Sequence, residues 1–152
     1  MKDHATKLIF VYGTLRKHER NHRLLEGSVP VALQCWTEGM LYDSGFGYPA
    51  MVQEKSGRVY GELYEVTAET LKGLDALEGY TGIDGQNYYD RVVQQVYTNH
   101  SSMEALMYVM APEKVKHKRH IQTGDWRFEW MTNGLRPPEF ITIFKMWSAA
   151  VY

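Results

Sequence analysis

Six short runs rich in β-branched and aromatic residues surround one well-marked helix, and that pattern leaves few folds open. The runs span residues 7–12, 31–42, 50–53, 58–66, 88–97 and 105–110. The first, Lys7-Leu8-Ile9-Phe10-Val11-Tyr12, is short and stops at Gly13, as a buried strand does. Gly45, Gly47 and Pro49 then break the chain. Lys55-Ser56-Gly57 reads as a hairpin turn joining 50–53 to 58–66, and residues 99–102 as the turn that folds 105–110 back onto 88–97. The helix is predicted over 68–78. Thr67 is placed to cap it, Glu69 lies in its first turn and Gly79 stands just past its end. Consecutive strands around a single helix predict an α+β fold: a mainly antiparallel or mixed sheet, open to closing into a barrel.

A chain of 152 residues is one domain's length, and no composition shift marks a boundary inside it. Seventeen Lys and Arg face eighteen Asp and Glu, so charge gives no reason to expect nucleic acid or an anionic membrane as partner. The one cysteine, Cys35, excludes an internal disulfide and a cysteine-ligated zinc site. It sits in a strand pattern beside Trp36, where a core thiol is expected rather than a nucleophile. The apolar run at 8–12 is too short for a signal-peptide core or a membrane span, and the expectation is a cytoplasmic protein. His117 and His120 have a metal-like spacing, but four cations within residues 114–120 would repel a divalent ion; a solvated loop is expected there. Eleven Tyr and four Trp supply apolar bodies with polar tips, which suit a small-ligand pocket or a core. The sequence sets no oligomeric state.

Three places carry possible chemistry. At roughly 100° per residue, Leu71 and Leu74 define one face of the helix, and Glu78 falls between them, with Leu77 widening the same apolar side. A carboxylate there is costly to ionise unless it is paired or used, so Glu78 is a functional acid, a helix-terminal Glu that snorkels out to water, or the partner of a cation such as Arg91. The second place is Tyr12-Gly13-Thr14-Leu15, directly after the first strand. A strand ending in Gly turns sharply and leaves consecutive N–H groups to face an anion or a carbonyl oxygen, or simply makes a turn. The tetrapeptide matches neither a P-loop nor a dinucleotide fingerprint. The third is Tyr89-Asp90-Arg91, where period-2 alternation puts Tyr89 and Arg91 on one face, lining a polar pocket or packing as a surface pair.

Taken together, these blocks resemble the γ-glutamylcyclotransferase-like family, including its γ-glutamylamine cyclotransferase branch. The resemblance rests on Phe10-Val11-Tyr12-Gly13-Thr14-Leu15-Arg16, then Asn21-His22-Arg23-Leu24-Leu25. It continues through Val59-Tyr60-Gly61-Glu62-Leu63-Tyr64-Glu65-Val66 and Leu74-Asp75-Ala76-Leu77-Glu78-Gly79 to Tyr89-Asp90-Arg91. It is strongest over 7–110, Gly124-Asp125-Trp126 looks like a further family element, and 134–152 has no counterpart. The resemblance implies a small mixed β-barrel flanked by helices, forming a single domain. It also implies a substrate loop at Tyr12, Gly13, Thr14 and Leu15, with Tyr89 and Arg91 near the substrate and Glu78 as the catalytic acid/base.

The reaction so implied folds a γ-glutamyl group back on itself. Its α-amine attacks its own γ-carbonyl, closing a lactam, 5-oxoproline, and releasing an amine. Nucleophile and electrophile are already joined, so effective molarity is large and neither a cofactor nor a metal is expected. The alternatives are a non-catalytic small-ligand-binding protein on the same barrel and an acyl-transfer enzyme acting on a different amide.

Overall fold

The computed structural model describes residues 5–128. Residues 134–152, expected from the sequence to be an unassigned extension, lie outside the described residues. Strands β1 (Thr6–Val11), β2 (Val29–Glu38), β5 (Arg58–Thr67), β6 (Asp90–Tyr97) and β7 (Ser102–Val109) form a closed barrel in the order β1-β5-β2-β6-β7. β1 runs antiparallel to β5, with Phe10 opposite Leu63, and parallel to β7, with Ile9 opposite Leu106. A closed sheet has no exposed edge to pair with another chain. The barrel is small, mixed and mainly antiparallel, as expected.

The second sheet was not expected. Residues 31–42 do not form one strand: the chain breaks at Gly39, and Met40–Asp43 leaves the barrel as β3. β3 pairs with β4 (Pro49–Val52) and β8 (Arg119–His120). The expected hairpin of 50–53 with 58–66 is therefore absent, because β4 pairs with β3 while β5 pairs with β1 and β2. Gly57 closes against Gly39 instead, and a Cβ on Gly57 would stand 2.4 Å from the Gly39 carbonyl oxygen. Two glycines facing each other let the backbones touch where the strands part company.

The helix α1 (Ala68–Glu78) has the predicted bounds. The Thr67 hydroxyl accepts the Thr70 N–H at 3.1 Å, and Gly79 ends the helix in the left-handed region at φ 69°. Leu71 and Leu74 are buried against the barrel, but Leu77 is 43% exposed and does not extend the buried stripe. The β6–β7 hairpin also forms as read, its turn held by Thr98 and Ser101.

Inside the barrel, Phe10, Leu63, Val59, Met107 and Val96 are fully buried, each contributing about 1.5–3 kcal/mol of transfer free energy as an upper bound. Cys35 joins this core, and burial pushes its thiol up to about 12. Against that apolar interior lies one buried charge cluster. Glu62 (2% exposed) accepts from Arg16 Nε at 3.1 Å, from the Lys17 N–H at 2.8 Å and from the Tyr64 hydroxyl at 2.8 Å. Arg127 approaches it at 3.6 Å, and Arg16 also donates to Asp125 at 3.0 Å. Gly124-Asp125-Trp126 earns its place here. A Cβ on Gly124 would collide with the Arg58 carbonyl at 1.9 Å, Asp125 holds Arg16, and Trp126 is buried in the core. Among the described residues, no helix is long and apolar enough to cross a membrane.

Candidate active site

A cavity of about 230 Å³ opens between the end of β1, the end of α1 and the residues leading into β4 and β6. Its inner wall is buried: Phe10, Val11, Tyr12, Gly13, Leu15, Pro49, Tyr89 and Tyr108. Its rim carries the exposed Arg20, Leu77 and Tyr88, with the half-buried Asn21, Tyr48 and Glu78 between rim and wall.

Glu78 reaches this cavity because it is the last residue of α1. Gly79 then reverses the chain, and the Glu78 and Gly79 carbonyls accept the N–H groups of Tyr89 and Tyr88 at 3.2 and 2.9 Å. A Cβ at position 79 would sit 2.8 Å from the Tyr88 Cβ, so the close pairing of 78–79 with 88–89 requires glycine. Among the described residues, the Glu78 carboxyl has neither a hydrogen bond nor an ion pair. Burial without a partner pushes it up from 4.5 to about 7. Its position at the negative end of the helix acts in the same direction. Burial raises Tyr12, Tyr88, Tyr89 and Tyr108, and the ionised Glu78 raises each of them further, so the carboxylate lies among four phenols.

The turn after β1 lines the opposite wall. The Arg16 N–H returns to the Gly13 carbonyl at 3.0 Å, and Asn21 holds Thr14 twice, through its backbone N–H and its side chain, each at 2.9 Å. The N–H groups of Gly13, Thr14 and Leu15 have no partner among the described residues. The turn is also tied from behind, through Arg16 and Lys17 to Glu62. Gly13 is not in the left-handed region; its need for glycine comes from Pro49, whose ring carbons would stand 2.8 Å from a Cβ.

The tyrosine hydroxyls are mostly engaged. Tyr89 donates to the Pro49 carbonyl at 2.6 Å. Tyr12 donates to the Tyr108 carbonyl at 2.7 Å and accepts the Met51 N–H at 3.1 Å. Tyr108 donates to Asp75 at 2.7 Å. Tyr48 and Tyr88 hydrogen-bond each other at the rim, and burial, followed by this contact, lifts Tyr88 to about 12.

The structure thus brings Tyr12, Gly13, Thr14, Leu15, Glu78 and Tyr89 around one cavity. Arg91 stands apart from it. Its guanidinium pairs with Asp75, not Glu78, and lies 4.7 Å from the centre of the Tyr80 ring. Tyr89 and Arg91 do not share a sheet face, because β6 begins only at Asp90 and Tyr89 is still in the connection. Arg20, Tyr48 and Tyr108 were missed as lining residues. Nothing local in the sequence marks Tyr48 or Tyr108; Arg20 lies one residue before the Asn21 block and had only its position to recommend it.

Residues 9–128 match the family described as gamma-glutamyl cyclotransferase, AIG2-like. The gamma-L-glutamyl-butirosin B gamma-glutamyl cyclotransferase of Niallia circulans is 44% identical over 89 residues, which are 58% of this chain and 56% of that protein. The gamma-glutamylcyclotransferase family protein YtfP of Escherichia coli K12 is 32% identical over 118 residues, 78% of this chain and 94% of the relative. The crystal structure of YkqA from Bacillus subtilis superposes with a TM-score of 0.69 at 34% identity, covering 88% of this chain and 44% of that one.

Proposed function

The chain belongs to the gamma-glutamyl cyclotransferase, AIG2-like family and is a γ-glutamylcyclotransferase-like enzyme; on that premise we propose that it converts a γ-glutamyl amine or peptide to 5-oxoproline and a free amine, with Glu78 as general acid/base. The observation that carries this reading is the unpartnered Glu78 carboxyl, raised to about 7, in a cavity whose facing turn offers unpaired N–H groups. A group poised near neutrality both takes and returns a proton efficiently.

The substrate's α-amine arrives as an ammonium and loses one proton to solvent before it attacks. As the N–C bond forms at the γ-carbonyl, Glu78 takes the second proton, and the carbonyl oxygen becomes an oxyanion. The N–H groups of Gly13, Thr14 and Leu15 are open to stabilise that oxyanion or to hold the substrate carboxylate. Protonated Glu78 then delivers its proton to the departing nitrogen, the original C–N bond breaks, and 5-oxoproline and the amine leave. The folded-back glutamyl chain supplies the proximity. The engaged hydroxyls of Tyr12 and Tyr89 hold the wall in shape rather than take part in proton transfer.

The test is incubation with a panel of γ-glutamyl amines and γ-glutamyl amino acids, with 5-oxoproline measured directly. Binding of such compounds without 5-oxoproline release would make the protein a binder on the same barrel. Release of a free acid in place of the lactam would make it a different amide-cleaving enzyme.

A further inference from the structure

The volume of about 230 Å³ is below the roughly 300–1,000 Å³ typical of drug-sized ligand sites. A glutamyl head fills such a space, and whatever is attached to the departing nitrogen lies at the rim. The chemistry of the rim therefore decides which leaving groups are accepted. Among the described residues, Arg20 is the rim cation with neither a hydrogen bond nor an ion pair. Its acidic neighbour Glu19 feels Arg127 and Arg16 more strongly than Arg20. Gly47, in the left-handed region at φ 90°, makes room for the guanidinium: a Cβ there would come within 3.1 Å of Arg20 Nη1.

Two further cations contact a rim aromatic or a ring stacked on one, without lining the cavity themselves. Lys114 Nζ donates to the Asn87 and Tyr88 carbonyls at 2.8 and 2.9 Å and lies 5.7 Å from the Tyr88 ring. Lys118 lies 5.0 Å from the Phe46 ring, which stacks on Tyr48. The acid at the foot of the 44–48 turn, Asp43, is already taken by Arg119 and the Gly45 N–H. The opening is thus aromatic and positive, with one guanidinium left to bind.

We propose that Arg20 is the specificity-determining residue for the leaving amine, and that it selects amines carrying a carboxylate over uncharged or cationic ones. The proposal rests on the cyclotransferase reading. Lys114 and Lys118 add to the positive field but are committed to their own neighbours, so the directional contact falls to Arg20. A guanidinium offers paired donors matched to a carboxylate. A cationic leaving group would instead be repelled by Arg20 and by the field of the two lysines.

The test compares γ-L-glutamyl-L-alanine with γ-L-glutamyl-ethylamide, whose leaving groups differ only by the carboxylate, using 5-oxoproline release as the readout. The wild-type protein should favour the alanine compound in kcat/KM by about 10-fold or more, the factor that one hydrogen bond between charged groups supplies. The preference should appear mainly in KM and weaken with added salt, because the rim is exposed. Arg20→Gln should bring the ratio close to one, and Arg20→Lys should retain part of it. Equal turnover of the two compounds by wild type would overturn the proposal while leaving the cyclotransferase reading intact. So would an Arg20→Gln protein that loses both activities in proportion, since Arg20 would then serve the glutamyl head. Absence of 5-oxoproline from both compounds, and from the wider panel, would overturn the cyclotransferase reading and this proposal with it.

Discussion

Tyr89 donates its backbone N–H to the carbonyl of Glu78 at 3.2 Å, so the acid and the aromatic wall beside it are joined through the main chain. The same Tyr89 donates its hydroxyl to the Pro49 carbonyl. Pro49 in turn packs on Gly13, the first residue of the turn that faces Glu78. Acid, wall and turn are therefore one linked unit, and substitutions in it are expected to act on geometry as well as on chemistry.

Glu78→Gln should lower turnover by about 10²-fold or more, the usual loss when a general acid/base is removed. Binding of 5-oxoproline, measured by calorimetry, should largely survive, because the Gly13–Leu15 N–H groups are untouched. Near wild-type turnover in this variant would remove Glu78 from the mechanism.

The pH dependence of stability has a definite sign. Glu78 is raised from 4.5 to about 7 in the folded protein, so the folded state holds more protons than the unfolded state between those values. Its contribution to stability is fully present below about 4.5 and is lost as pH rises through about 7. Melting curves of wild type and Glu78→Gln should nearly coincide at pH 4, and the variant should melt a few degrees higher at pH 8. In wild type, kcat/KM should rise with pH through about 7 as the base form appears. Equal melting temperatures at pH 8 would show that Glu78 ionises at no cost.

Gly13→Val should reduce both stability and activity. The collision is with the Pro49 ring rather than with a backbone angle, so Gly13→Ala should already push Pro49 aside. A loss of about 1–3 kcal/mol is expected from overpacking of this kind. Chemical denaturation of Gly13→Ala and Gly13→Val measures it, and an unchanged midpoint would mean that the ring yields freely.

Tyr89→Phe keeps the wall but leaves the buried Pro49 carbonyl without its donor, at about 1–3 kcal/mol. Turnover per folded molecule should fall modestly, through displacement of Pro49 and Gly13. If Tyr89→Ala binds and turns over substrate normally, Tyr89 lies outside the working pocket.

Glu62→Gln should be among the most destabilising single changes in the barrel. It leaves buried Arg16 and Arg127 without their shared anion, a situation that costs roughly 3–5 kcal/mol. Because Glu62 also holds the Lys17 N–H, amide exchange in residues 13–17 should speed up more than in β6 and β7. Uniform acceleration across the barrel would show that Glu62 stabilises the fold without anchoring the turn.

The sequence by itself determined the elements whose signals are local. The helix from Ala68 to Glu78 was legible from Thr67, its apolar spacing and Gly79, because capping and periodicity act within one or two turns. The position of Glu78 beside Leu71 and Leu74 followed from the same spacing, and the β6–β7 hairpin from a four-residue turn. Only the tertiary structure decided who meets whom across the chain. Leu77 lies at the rim rather than in the core, because the cavity interrupts the packing at the end of α1. Arg91 went to Asp75, one helical turn before Glu78, because β6 starts a residue later than alternation from Tyr89 requires. The strand expected over 31–42 broke at Gly39 because Gly57, eighteen residues on, presses against it. Arg20, Tyr48 and Tyr108 reach one cavity from three separate stretches of chain. Such meetings depend on barrel closure, which no local preference encodes, and so the position of Glu78 was readable from the sequence while the rim of the cavity was not.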